Sequence, residues 1–296
     1  MALPLTGIYV FLVCAAGGLF TDNLWIQFGL LAVSSFLMME LNNVNALIRI
    51  YSRMVSCSYL MLAAMSHFLF VDIRCGIVQV CFVAFYLWFF SAYQDKRAVG
   101  RIFYAYLMLG IASTMFPKIL YFVPVVWILM CTNIMAGSFR MFVASLMGLL
   151  VPYLFLGAYS MYIGNAGMIT CVIDDISCFG AMSQWLELPP VQIFSAGFVA
   201  LLAIVGMIHF RLNNYKDKIR TRMLFEVFSV MALVTIVLLV LIPQCFNYLL
   251  ALLIVSTAPM IGHYIALTNT YITNLSFYAI VVVILFFTAC NTWMLL

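Results

Sequence analysis

The sequence predicts an all-α fold, a polytopic bundle of transmembrane helices. Of its 296 residues, 67% are hydrophobic and only 7% are charged, and the mean hydropathy is +1.19. A soluble domain carries roughly 25% charged residues, so this chain has too little polar surface to cover a water-soluble globule. The composition therefore excludes a soluble enzyme, a nucleic-acid-binding protein and a disordered chain.

The apolar runs decide between helices and a β-barrel. Only these two architectures satisfy all backbone polar groups in lipid. Barrel strands would alternate apolar and polar residues over about 10 positions, whereas the runs here are continuous and approach the roughly 20 residues that a spanning helix needs. We predict about eleven spans, at 3–20, 24–41, 54–71, 75–93, 102–116, 119–135, 141–163, 192–210, 223–242, 247–265 and 276–294.

Two of these segments need separate justification. The first could be a signal peptide, but no Lys or Arg precedes Leu3 and no polar stretch separates it from the run at Leu24, so a retained span is expected. The fifth and sixth are divided only by Phe116-Pro117-Lys118. A single kinked helix is the alternative, but 102–135 is too long for one crossing.

The distribution of Lys and Arg predicts the orientation. With the N-terminus in the cytoplasm and the C-terminus in the periplasm, only Arg74 and Lys118, of 13 basic residues, fall outside. Basic residues concentrate in cytoplasmic loops of membrane proteins. The longest break, 164–191, contains no Lys or Arg and falls outside. We expect one membrane domain over 1–296, with 164–191 an external loop that has no domain of its own.

Part of the chain resembles a known family. The matching features are Leu41-Asn42-Asn43 with the basic stretch to Arg53, the segment Gly110 to Pro117, an aromatic span around Trp127, and Gly148-Leu149-Leu150-Val151-Pro152-Tyr153. Over about residues 28–163 the chain is similar to uncharacterised polytopic inner-membrane proteins of Bacteroidetes. The resemblance implies a bacterial cytoplasmic membrane, and it supplies no catalytic residue.

Four external carboxylates are the candidate catalytic residues: Asp22, Asp72, Asp174 and Asp175. An acid at the headgroup level can act as a base or hold a divalent ion beside a lipid phosphate, as in transferases that use polyprenyl-phosphate sugars. Each has a structural alternative. Asp22 would cap the second helix, Asp72 would pair with Arg74 beside an interfacial His67, and the 174–175 pair would be solvated in its loop.

The same external loop carries Cys171 and Cys178, a pair that could form a disulfide in an oxidising periplasm. Cys75 and Cys245 lie near that surface too, so the pairing stays open. The three histidines lack the spacing of a metal site, and we expect no metal and no cofactor. We expect His209 and His263 to reach the cytoplasmic interface from the ends of their spans.

The cytoplasmic side holds a basic run with two alternative roles. Its cations could bind anionic lipid headgroups, at roughly 1 kcal/mol per charge, or they could only enforce topology. We expect Glu40 and Glu226 to pair with nearby arginines. The run comprises Arg211, Lys216, Lys218, Arg220 and Arg222, with Asp217 among them.

Two function classes follow. The first is a non-enzymatic protein of the cell envelope, acting as a partner, a scaffold or a lipid-handling subunit. The alternative is a lipid-linked glycosyl- or phospholipid-transferase with an external acidic site. A substrate carrier is a less favoured third class. An ion-coupled carrier would need a charged group within a span, and no predicted span has a charge near its centre. The expected partners are the lipid bilayer and either other membrane proteins or a polyprenyl-linked lipid, with no nucleic acid.

Overall fold

The computed structural model describes residues 2–164, 188–268 and 270–293, together with positions 167, 172, 174–176 and 185. In these residues the regular structure is helical, and the all-α prediction is confirmed. Eleven α-helices follow the predicted segments closely. They are α1 (Ala2–Ala16), α2 (Trp25–Asn45), α3 (Met54–Met65), α4 (Ile73–Ser91), α5 (Val99–Met115), α6 (Val123–Thr132), α7 (Phe139–Ile163), α8 (Pro190–Asn213), α9 (Ile219–Leu241), α10 (Phe246–Leu267) and α11 (Tyr271–Trp293).

Helix length divides these elements into two groups. Seven are long and apolar enough to cross a membrane, namely α2, α4 and α7 to α11. The described part of the chain also holds four shorter apolar helices, α1, α3, α5 and α6, of 10–17 residues. The seven helices of spanning length make the chain a membrane-embedded protein.

The chain forms two compact units, one of residues 1–80 with 182–296 and one of residues 81–181. In the first unit, α10 lies at the centre and packs against α3, α8 and α9. Every residue from Leu249 to Tyr264 is buried. A helix that is apolar on all sides belongs inside a bundle rather than at its surface. The sequence of α10 therefore places it, and its neighbours cover it.

Helix contacts fix the relative directions within the first unit. Gly262, near the end of α10, approaches Val55 at the start of α3 so closely that an added Cβ would lie 3.0 Å from the Val55 Cα. Phe68, just after α3, stacks on Phe246 at the start of α10 with ring centroids 6.3 Å apart. The two helices are therefore antiparallel. His67 and His263 consequently lie at opposite ends of the unit, about 26 Å apart along α10 at 1.5 Å per residue.

One end of the first unit carries most of its positive charge. We name it the basic end. It joins α2 to α3, α8 to α9 and α10 to α11, and the opposite end, which we name the His67 end, holds one described cation, Arg74. Basic residues at the basic end are Arg49, Arg53, Arg211, Lys216, Lys218, Arg220 and Arg222.

The second unit is built on α5 and α7, which run side by side in the same direction. Gly148 of α7 faces the backbone of α5 at Phe103, and Tyr153, further along α7, donates to the Ser113 hydroxyl over 2.8 Å. Between α5 and α6 the chain forms a 3₁₀ helix, Pro117–Phe122, and not a continuous kinked helix. Helix α6 then runs back toward the start of α5. The Gln94 N–H, which precedes α5, donates to the carbonyl of Ile134, which follows α6, over 2.8 Å.

Gly110, Trp127 and Gly148 make close contacts between the helices of this unit. An added Cβ on Gly110 would lie 3.0 Å from the Leu149 carbonyl oxygen and 3.0 Å from Pro152. The Trp127 indole N–H donates to the Ser145 hydroxyl over 3.0 Å. Small residues allow backbones to approach closely in membrane helices, where packing and hydrogen bonds replace the hydrophobic drive. Contacts between helices therefore account for the small residues at these positions of the sequence.

Replacing Gly148 by alanine tests this close approach. A Cβ at this position would lie 2.5 Å from the Phe103 carbonyl oxygen and 3.0 Å from the Leu107 nitrogen. Because both are backbone atoms, α5 and α7 must separate, which we expect to destabilise the protein by about 1–3 kcal/mol. The measurement is the thermal unfolding midpoint in detergent.

Gly100→Ala is the matched control, because Gly100 lies in α5 with nothing within 4 Å of an added Cβ. Alanine favours a helix over glycine by roughly 1 kcal/mol, so this variant should match or exceed the wild type in stability. Equal midpoints for Gly148→Ala and the wild type would contradict the close contact.

Candidate functional site

At the basic end, a buried hydrogen-bonded pair of side chains joins two distant parts of the chain. Asp217 follows the 3₁₀ helix Asn214–Lys216 that ends α8, and His263 lies one turn before the end of α10. Their side chains meet with the His263 Nε2 3.1 Å from the Asp217 Oδ2, and they are only 2% and 3% exposed. Aromatic rings of Phe210 and Phe225 pack against the imidazole at centroid distances of 5.4 and 4.8 Å. Asp217 thereby fixes the short connection between α8 and α9 to the central helix.

A small cavity opens beside this pair. Its polar lining includes Arg49, His209 and Lys216, together with Asp217 and His263. The Nδ1 atoms of His209 and His263 are buried and have no hydrogen-bond partner within the described residues. A buried polar atom without a partner loses its hydration without compensation. The residues around this cavity thus combine exposed cations with imidazoles that are not fully hydrogen-bonded.

Two arginines hold the walls of this site in place. The Arg222 Nε donates to the Asp217 carbonyl over 2.9 Å, and its Nη2 donates to the Tyr215 carbonyl over 3.1 Å. The Arg220 Nη2 donates to the Asn45 Oδ1 over 2.8 Å and so links α9 to the end of α2. Hydrogen bonds from charged donors are among the stronger ones. These two cations serve the fold, whereas Arg49 and Lys216 are exposed beside the cavity.

The structure corrects one expectation at this end. His263 does not reach the interface, because it is 1% exposed and held by Asp217. Arg220 and Arg222 donate to Asn45 and to backbone carbonyls, and the pairing of nearby arginines with Glu40 and Glu226 stays a prediction. Sequence reasoning missed the contact of Asp217 with His263 because the two residues are 46 positions apart. The available signal was Asp217 itself, a single acid inside a basic run.

The candidate acids of the first unit lie at the His67 end. Asp72 does not form the expected ion pair with Arg74. Its Oδ1 accepts the Arg74 backbone N–H over 2.9 Å, so it caps the start of α4, and its Oδ2 accepts from the Cys75 thiol over 3.5 Å. Asp22 is exposed in the turn before α2, and the expected cap is wrong because α2 begins after Leu24 without a side-chain cap. A carboxylate engaged in helix capping is explained by folding alone.

The remaining external candidates belong to the second unit and its loop. Asp174 and Asp175 are both exposed. Cys171 and Cys178 lie outside the described residues. Cys75, which the sequence left open as a disulfide partner, is a free thiol.

At the His67 end, the burial of His67 departs most from the sequence prediction. It was expected at the interface, yet it is 1% exposed, and neither ring nitrogen has a hydrogen-bond partner within the described residues. It lies in a 3₁₀ helix, His67–Leu69, between α3 and α4.

Neither a metal cluster nor a known relative assigns a role to these residues. Within the described ranges, no group of three or more His, Cys, Asp or Glu side chains is placed to hold a metal ion. Comparison with known protein families, with curated proteins and with solved structures gives no match. The geometry of the two histidine sites is therefore the basis for functional argument.

Breaking the buried Asp217–His263 hydrogen bond should destabilise the protein. Each single variant, Asp217→Ala or His263→Ala, leaves the other buried polar group without its partner, which should cost about 1–3 kcal/mol. The double variant should lose less than the sum of the two, since neither partner is then stranded. Unfolding midpoints in detergent for the complete double-mutant cycle measure this coupling.

The exposed ion pair of Asp95 and Arg101 provides the control, with side chains 44% and 49% exposed. Asp95→Ala should lose no more than about 1 kcal/mol. Strict additivity of Asp217→Ala and His263→Ala would show that the pair does not interact.

Proposed function

We propose that the chain crosses a bacterial cytoplasmic membrane eleven times, with its N-terminus and the basic end in the cytoplasm. The segregation of charge supports this topology. In the first unit, seven cations lie at the basic end and Arg74 lies opposite. In the second unit, Lys118 lies apart from the connections before α5 and α7, which hold Lys96, Arg97, Arg101 and Arg140. Excess Lys and Arg mark the cytoplasmic side.

The four shorter helices are compatible with this count. Helix α3 has 12 residues, about 18 Å at 1.5 Å per residue, which is less than the roughly 30 Å of a hydrocarbon core. However, nine of its residues are buried, so neighbouring helices rather than lipid surround it. Non-helical backbone at its ends can then lie at membrane depth, because protein satisfies its polar groups.

We further propose that the protein is a non-enzymatic, lipid-handling membrane protein that binds the phosphate of an anionic lipid headgroup at the basic end. The cavity beside the Asp217–His263 pair carries this proposal. Two exposed cations, Arg49 and Lys216, belong to its lining. Cations with directed N–H donors are the groups that recognise phosphate.

The position of the cavity favours a lipid over a soluble phosphate compound. Its walls come from the ends of α8 and α10, and Leu267 is part of the lining. Nearby on α8 and α9, Leu212 and Ile219 are 70% and 65% exposed, so apolar side chains surround the cations. Such an arrangement suits a headgroup at the membrane surface, where each Lys or Arg attracts anionic lipid by roughly 1 kcal/mol.

The transferase alternative gains less support from the geometry. Asp72 is engaged as a helix cap, and Asp22 is exposed in a turn. Acid–base chemistry would need a carboxylate held near a second functional group. The substrate-carrier alternative has no specific observation in its favour. The headgroup site is the function that the contacts of the described residues support best.

Lipid binding to charge-neutral variants tests this proposal. We expect the wild type in detergent to retain phosphatidylglycerol, and the double variant Arg49→Gln/Lys216→Gln to bind it at least tenfold more weakly, because both cations face the phosphate. Native mass spectrometry with added phosphatidylglycerol measures the bound fraction. Glycerol 3-phosphate in the same titration separates a free phosphate compound from a lipid.

Lys96→Gln/Arg97→Gln is the matched control, since both residues are exposed cations of the second unit. This pair should bind the lipid like the wild type. Equal weakening by both double variants would indicate nonspecific surface charge and would overturn the site. Competition by glycerol 3-phosphate at a concentration equal to that of the lipid would favour a soluble ligand instead.

A further inference from the structure

A second cavity lies at the His67 end, within the first unit. Helices α1, α2, α3 and α4 surround it, and its polar lining is His67, Gln27, Gln79 and Cys14, with Leu31 and Phe70 among the apolar residues. This cavity is independent of the headgroup site, because the two lie at opposite ends of α10. None of its lining residues carries a formal charge while His67 is neutral.

The imidazole of His67 is held in this cavity with both nitrogens unsatisfied. It is 1% exposed, and neither Nδ1 nor Nε2 has a partner within the described residues. Gly17 makes room for the ring, since an added Cβ there would lie 2.1 Å from the His67 Cε1. Phe70 packs against the ring with centroids 5.2 Å apart. An isolated buried polar group is costly, so a built position for one calls for a ligand.

The neighbouring amide is also arranged to meet a polar group. Gln79 is 6% exposed, and the Tyr59 hydroxyl donates to its Oε1 over 2.8 Å. This bond orients the amide and leaves its Nε2 as the donor for another acceptor. A neutral imidazole adds one donor and one acceptor. The polar groups of the cavity thus match a hydroxyl, which both donates and accepts.

The uncharged lining of the cavity and the aromatic side chains near it restrict the chemical class of the ligand further. An ion would lose its hydration here without a countercharge in the lining. Beside the cavity, Phe20 and Trp25 are 56% and 50% exposed, with ring centroids 5.4 Å apart. Exposed aromatic side chains of this kind lie at the level of lipid headgroups and ester linkages. The ligand is therefore an uncharged molecule with a hydroxyl and an apolar body.

We propose that this cavity binds the free hydroxyl of an uncharged lipid of the diacylglycerol class, with His67 and Gln79 as its hydrogen-bond partners. The hydroxyl enters between α1 and α2, and the acyl chains stay in the bilayer beside the exposed aromatic pair. Gly17 acts as a positioning residue, because its missing side chain lets the imidazole occupy the cavity wall.

The test is a titration of the full-length protein in detergent with 1,2-dioctanoyl-sn-glycerol, followed by native mass spectrometry. We expect saturable binding of one molecule, and at least tenfold weaker binding of the same lipid with its hydroxyl acetylated. His67→Phe keeps an aromatic ring without nitrogens and should also weaken binding at least tenfold. Gly17→Ala should weaken it comparably by displacing the imidazole.

Gln27→Leu provides a milder variant, because Gln27 is only half-buried and its replacement leaves His67 in place. It should weaken binding severalfold, and it keeps the test decisive if His67→Phe fails to fold. Arg49→Gln/Lys216→Gln should bind the neutral lipid like the wild type. Absence of saturable binding, equal binding of the acetylated lipid, or unchanged binding by Gln27→Leu and a folded His67→Phe would each overturn the proposal and leave a cavity filled by water.

Discussion

Complete burial of α10 is the constraint on which the first unit depends. A helix without an exposed face must be covered on all sides, which recruits α3, α8 and α9 around it. Any polar side chain on such a helix must find a partner inside the protein, because neither water nor lipid reaches it. His263 meets this requirement through Asp217, and in doing so it fixes the connection between α8 and α9. The central helix thus determines where a polar site can exist at the basic end.

Polar groups elsewhere in this unit follow the same rule. At the far end of α3, the Asn291 Nδ2 donates to the Met65 carbonyl over 2.8 Å and lies 3.0 Å from the Ser195 hydroxyl, so three helices are joined by one amide. The Tyr59 hydroxyl donates to the Gln79 Oε1 in the same way. Some buried polar atoms of this unit have no partner within the described residues, including the Thr257 hydroxyl and the Nδ1 atoms of His209 and His263. His67 differs from these because both of its ring nitrogens lack one. The second unit uses glycine instead, with α5 and α7 in backbone contact at Gly110 and Gly148.

The two proposed sites have opposite electrostatic character for a physical reason. Cations collect at the basic end, and a phosphate is their natural ligand. At the His67 end the lining carries no formal charge while His67 is neutral, so an uncharged hydroxyl is the better match. Each site pairs groups from several helices with an apolar surround. Both therefore suit amphiphilic ligands rather than soluble metabolites.

Composition and apolar run length were enough to determine the helical class and the position of nearly every helix, because the membrane requires a long apolar segment for each crossing. The break at Phe116 to Lys118 was also readable, because 102–135 is too long for a single crossing. Tertiary structure alone decided which polar residues meet. Asp217 and His263 are 46 positions apart, and Gly17 and His67 lie on different helical segments, so no local pattern joins them. Sequence gives the chemistry of such residues, whereas the packing of helices around α10 decides their partners and their burial.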